Sequence, residues 1–178
     1  MSHGLPDPPT EVPADDDIAK LAPRFAERVR DLIAEMRRRG HDPVVLEAFR
    51  SDERQAWLYG FGRAYDDGRG NVTGAPTGSK SWHRYGLAVD IVSQSKGDSA
   101  PRAFWDALRT IAGSLRLTSG DDWDRDGIPV ERDADEHRAD LPHVQWWTPG
   151  MRVAPSDRAW QLLQSGGLPA VWHEVQAD

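Results

Sequence analysis

Cysteine is absent from the 178 residues, which removes disulfides and thiolate metal sites and leaves imidazole and carboxylate as the strong metal donors. Basic clusters are scarce too. The 29 Asp and Glu outweigh 22 Lys and Arg for a formal net charge of −7, and no basic stripe interrupts that balance, so no nucleic acid partner is expected. No apolar run is long enough to span a membrane, and the first seventeen residues carry neither a basic segment nor an apolar signal core. The expectation is a protein that is cytoplasmic at synthesis, without membrane insertion. A Gly-x-Gly-x-x-Gly stretch between strand and helix is also missing, which excludes a dinucleotide fingerprint, and no internal repeat is present. The length suits one core rather than two. We therefore expect a single, monomeric domain over 15–178 behind a flexible lead-in over 1–14 that holds four prolines.

What is present begins with a helical stripe. Ile18, Leu21, Phe25, Val29, Leu32, Ile33 and Met36 recur at three- and four-residue steps, with Asp15 to Asp17 before them and Arg37 to Arg39 and Gly40 after; this predicts a helix from Asp17 to Arg39. A short strand follows over 43–49. Ser51 is a good cap for a helix through Gln55, Trp57 and Leu58. The glycine-rich 64–80 reads as a loop, 101–112 as a helix and 115–118 as a strand. The acidic 121–140 precedes a strand over 141–146, in which His143 and Gln145 share a face. A final helix over 156–164 and a closing tail over 166–172 complete the chain. Tryptophan is frequent, with 8 residues; Trp82, Trp146 and Trp147 are expected as core or as wall of a groove.

The stretch Ser81-Trp-His83-Arg-Tyr-Gly86-Leu-Ala88-Val-Asp90-Ile-Val92 carries the densest chemistry. Both His83 and Asp90 are side chains that ligate zinc. Seven residues apart, they would share a face of a helix. Strand composition from Leu87 to Val92 favours the other geometry, a strand carrying Asp90 and a preceding loop carrying His83, with Gly86 at the bend. Taken as an isolated pair, they would also suit a buried strand with a structural histidine. His3 lies in the lead-in, His41 at a helix exit and His173 near the tail.

Ser81-x-His83-x-x-Gly86-x-Ala88-x-Asp90 resembles the signature of the zinc D-alanyl-D-alanine carboxypeptidase and L-alanyl-D-glutamate peptidase family, which cuts the stem peptides of peptidoglycan. The run Arg50-Ser-x-x-Arg-Gln55-x-x-Leu-Tyr-Gly-x-Gly-Arg63 is similar to the same family, and so is Asp140-x-Pro-His143. The resemblance implies an α+β fold with a small, mainly antiparallel sheet carrying the zinc and flanked by helices. It implies His143 as third zinc ligand and Asp140 as the general base, taking a proton from water and returning it to the leaving amine; Glu136 and His137 lie near but outside the motif. It further implies that Arg50, Gln55 and Ser81 meet the substrate, Arg50 holding a carboxylate or polarised carbonyl. Peptidoglycan is the expected partner. Within the family the chain looks most like phage L-alanyl-D-glutamate endolysins, which reach the wall after release. A D-alanyl-D-alanine carboxypeptidase is the alternative enzyme, and a non-catalytic zinc-fold module the alternative of another class.

One motif lies outside this frame. Asp122-x-Asp124-x-Asp126-Gly127-Ile128, followed by Asp133, places carboxylates at positions one, three, five and twelve, glycine at six and a backbone carbonyl at seven of an EF-hand-like loop. That is a calcium pattern, although Asp replaces the usual Glu at twelve. Calcium is accordingly expected beside zinc, ordering the segment ahead of Asp140.

Overall fold

Residues 4–129 and 139–176 are described in a computed structural model of the chain. Pro23 decides where the first long helix begins. A proline has no N–H and pushes the residue before it into extended backbone, and Ala22 has ψ 134°. The helix expected from Asp17 therefore divides into a 3-10 turn, Ile18–Lys20, capped by the Asp17 carboxylate at 2.9 Å from the Ala19 N–H, and α1, Pro23–Arg38. Its buried stripe keeps the expected spacing, from Phe25 through Val29, Leu32 and Ile33 to Met36.

Strand β1, Pro43–Glu47, leads into α2, Asp52–Gly60, whose cap is the predicted Ser51, accepting from the Arg54 N–H at 3.1 Å. After the glycine-rich loop come β2, Ala88–Ser93, α3, Arg102–Ser114, and β3, Leu117–Ser119. Strand β4, His143–Trp146, precedes α4, Asp157–Gln176. The segment expected as an irregular tail is helical: α4 breaks at Gly167 (φ 68°) and resumes with Pro169 near its new start. That is a position where a missing N–H does no harm.

The strands form one antiparallel sheet in the order β1-β2-β4-β3, so the architecture is α+β as expected. Alternation divides its two faces. Val89, Ile91, Val144 and Trp146 share one core with Phe25, Leu32, Leu108 and Ile111 of α1 and α3. The opposite face carries Asp90 and His143, which stand directly across from each other in the β2–β4 register.

Two peripheral segments brace that open face. The lead-in expected as flexible lies along α2, where Trp57 Nε1 donates to the Pro9 carbonyl at 3.3 Å and Arg54 Nη1 to the Val12 carbonyl at 2.5 Å. At the other end, Trp172 Nε1 donates to the Tyr85 carbonyl at 2.7 Å, fastening α4 to the turn that carries His83. Among the described residues no helix is long and apolar enough to cross a membrane.

Gly86 joins these parts at a left-handed turn (φ 63°), and a Cβ there would lie 2.8 Å from the Lys20 carbonyl oxygen. Gly86→Ala should lower the unfolding free energy by about 1–3 kcal/mol, the typical cost of a non-glycine residue in strained backbone. Chemical denaturation at neutral pH measures it, and an unchanged midpoint would contradict the close approach.

Candidate metal centre

Three elements bring three donors to one point. His83 sits on a 3-10 turn, Trp82–Tyr85, ended by Gly86; Asp90 is in β2 and His143 opens β4. His83 Nε2, His143 Nδ1 and Asp90 Oδ1 form a triangle with all three sides 3.3 Å. A tetrahedral zinc with bonds of about 2.0–2.1 Å has ligand-to-ligand edges of about 3.3–3.4 Å. The triangle therefore fits one face of such a tetrahedron, with the fourth vertex open to the cleft.

The surroundings fix which nitrogen each imidazole offers. His83 Nδ1 faces the Ala48 carbonyl at 3.2 Å, and a carbonyl only accepts, so Nδ1 carries the proton and Nε2 the lone pair. His143 Nε2 lies 3.1 Å from Gln145 Oε1, while Gln145 Nε2 donates to the Arg152 carbonyl at 3.3 Å. That second bond sets the amide orientation, so His143 donates through Nε2 and offers Nδ1. Asp90 Oδ1 is buried without a hydrogen-bond partner. Outer partners of this kind orient metal-binding imidazoles and raise their basicity.

The charges are arranged for a cation. Burial opposes ionisation of Asp90, yet the neighbouring His83 and His143 outweigh it and hold the carboxyl well below the ordinary aspartate range. Desolvation would lower the His143 pKa, but Asp90, Asp140 and Gln145 together raise it above the usual imidazole value.

The triangle lines a cleft of about 1160 Å³ together with Arg50, Ser81 and Asp140. Asp140 opens to this cleft, and its carboxyl is raised above the ordinary value, first by desolvation and then by the Asp90 charge, against the pull of His143, His83 and Arg50. Arg50, expected to meet substrate, lines the cleft with its guanidinium already engaged. It is buried, with Nε on Glu47 at 2.7 Å, Nη1 on Gln55 at 3.1 Å and Nη2 on both Glu47 and Asp90. Gln55 is fully buried and ties Arg50 to the Ala75 carbonyl rather than lining the cleft. Trp82 and Trp123 are the tryptophans of the cleft wall, Trp123 tilted 5.4 Å from the His143 ring, whereas Trp146 belongs to the core.

In the acidic loop, Asp122, Asp124 and Asp126 bring one carboxylate oxygen each within 4.8 Å of the others. Part of that convergence is internal turn bonding, since these carboxylates accept from the N–H groups of Asp126, Gly127 and Ile128. Desolvation and the two neighbouring carboxylates raise the Asp122 pKa. Asp133, Glu136 and His137 lie outside the described residues.

Sequence spacing missed Glu47 and Gly120, and gave Gln145 no role beyond a shared face with His143. A Cβ on Gly120 would meet the Asp140 carbonyl oxygen at 2.2 Å. Gln145 shares its strand face with His143, and that period-two spacing is the one local signal of its contact. Gln145→Leu should preserve the fold and weaken zinc binding by about 10–100-fold. Competition with a chelator reads this directly; unchanged affinity would mean that the amide does not orient His143.

The family model VanY, D-alanyl-D-alanine carboxypeptidase, matches residues 18–110. Peptidoglycan L-alanyl-D-glutamate endopeptidase CwlK of Bacillus subtilis (strain 168) is 29% identical over 126 residues, 65% of this chain and 72% of CwlK. Among solved structures, VanYB in complex with D-alanine-D-alanine is similar with a TM-score of 0.47 and 15% identity, over 98% of this chain and 97% of its own. The vancomycin resistance D,D-pentapeptidase VanY in complex with Zn(II) gives 0.46 and 17%, over 94% and 96%.

Proposed function

Because the chain belongs to the VanY D-alanyl-D-alanine carboxypeptidase family, we propose that it is a zinc peptidase of peptidoglycan stem peptides, cutting between L-alanine and D-glutamate. The observation that carries hydrolysis is the 3.3 Å triangle of His83, Asp90 and His143 at the floor of a cleft that also holds Asp140. The similarity to CwlK supports the choice of bond.

When bound, zinc supplies a Lewis acid that polarises the scissile carbonyl and makes water a nucleophile near neutral pH. The chain's own groups do the rest. His83 and Asp90 converge from a turn and a strand that the fold fixes independently, and with His143 they would hold the ion at the cleft. Asp140 takes the proton of the attacking water and returns it to the leaving amine; its raised pKa matches that double duty better than an ordinary aspartate would. Arg50, held by Glu47 and Gln55, presents a fixed positive charge on the cleft wall beside Asp90. Ser81, buried at the cleft edge, is the other substrate-facing residue in this reading. A non-catalytic module would have no use for a carboxylate at the Asp140 position, and this favours an enzyme.

Digestion of purified peptidoglycan decides the bond. New amino groups on D-glutamate are the expected product, release of free D-alanine would make the chain a D,D-carboxypeptidase, and no new termini at all would defeat the enzyme reading. Asp140→Ala should retain stoichiometric zinc and lose about 10²–10⁴ in rate; near-normal turnover would assign the proton transfer to another group. The proposal also includes calcium at Asp122, Asp124 and Asp126, supported by the meeting of three carboxylates. Calorimetric titration of calcium into the zinc-loaded protein should show one site, and absence of heat at millimolar calcium would reduce the cluster to a set of turns.

A further inference from the structure

Glu47 is a charge buried to 3% exposure at the end of a strand that otherwise reads Pro-Val-Val-Leu. An unpaired carboxylate at such depth is strongly disfavoured, and a bulge in β1 puts it there. The β1–β2 register pairs Val45 with Ile91, then passes over Leu46, so that Glu47 stands opposite Asp90. Asp90 in turn stands opposite His143. Without the extra residue Leu46 would occupy this row; instead it turns outward, 50% exposed. Bulges give up ladder regularity and re-aim a side chain.

The re-aimed carboxylate meets two arginines. Glu47 Oε2 accepts from Arg50 Nε and Nη2, the two-pronged fork that fixes a guanidinium in orientation. Glu47 Oε1 accepts from Arg54 Nε at 3.0 Å. Arg50 Nη2 also reaches Asp90 Oδ2 at 3.4 Å. The two oxygens of Asp90 thus have different partners: Oδ2 faces Arg50, and Oδ1, bare of hydrogen bonds, faces the imidazole pair.

We infer that Glu47 is a positioning residue for the metal: it fixes and neutralises Arg50, whose charge beside the outer oxygen of Asp90 would otherwise repel a divalent cation and draw Asp90 away from it. The inference rests on His83, Asp90 and His143 being the zinc ligands.

The test withdraws zinc from the zinc-loaded full chain with a graded chelator series, comparing wild type, E47Q and E47Q/R50Q, with circular dichroism confirming the fold of each. E47Q leaves the shape but strands a buried cation beside the site, and should bind zinc at least tenfold more weakly. E47Q/R50Q removes that cation and should recover most of the loss. Wild-type affinity in E47Q would overturn the inference, as would a double variant no better than E47Q, because Glu47 would then not act through Arg50. If E47Q is not recovered folded, E47D takes its place: one methylene shorter, it cannot keep both Arg50 donors, and undiminished affinity sinks the idea. A wild-type chain that holds no zinc defeats the site reading itself, a result distinct from all of these.

Discussion

The antiparallel register of β1, β2 and β4 sets Glu47, Asp90 and His143 in a row across the sheet, and most of what is distinctive about the molecule follows from it. Opposed residues on neighbouring antiparallel strands share a face and approach closely. On a face turned to a core such a row would be apolar. Here it is two acids and an imidazole, while α1 and α3 pack against the apolar face. Slipping one strand by one residue would send all its polar groups into the core and its valines into the cleft, so core packing and site geometry are specified together.

Removal from water is costly for each of these charges, several kcal/mol per ion, and pairing them returns about what their burial costs. Stability is therefore a weak reason for the Glu47–Arg50–Asp90 chain. Position is a better one. Each group has a partner on a different element: Arg54 of α2 on Glu47, Gln55 of α2 on Arg50, and the Val12 carbonyl of the N-terminal strap on Arg54. His83 is fixed separately, by the Ala48 carbonyl at Nδ1 and by the Arg50 N–H on its own carbonyl at 3.3 Å. The donors of the triangle are thus oriented from behind by groups that lie outside it.

Local chemistry was readable wherever the cause was local. The α1 stripe, the Ser51 cap and the turn at Gly86 depend on neighbours within a few residues, and the spacing of His83, Asp90, Asp140 and His143 is a matter of type and interval. Pro23 was a legible break that the longer hydrophobic period concealed. Strand order and the β1 bulge depend on partners 25 or more residues away, and no local pattern carries them. Glu47 consequently looks like an ordinary polar strand residue until the register is known, and Arg50 like a free hand for substrate until Glu47 is seen to grip it. The helical second half of α4 hid behind Gly-Gly-Leu-Pro, a stretch that by itself signals a turn.

The acidic segment raises a last question of control. Its two ends are clamped together at a neck: Gly120 donates to the His143 carbonyl at 2.8 Å, and the Asp140 N–H donates to the Gly120 carbonyl at 2.8 Å. Only glycine permits this approach, given what a Cβ would strike. Loop-closure entropy changes slowly with length, so an insertion between clamped ends can vary widely without disturbing the residues at its base. Asp140 and His143 therefore take their positions from the neck, which closes by backbone bonds alone. A cation in the loop is not needed to place Asp140. Its leverage would run through Trp123, the next residue after Asp122, which lies against the His143 ring and lines the cleft; calcium at this loop would then tune access and substrate fit rather than assemble the catalytic groups.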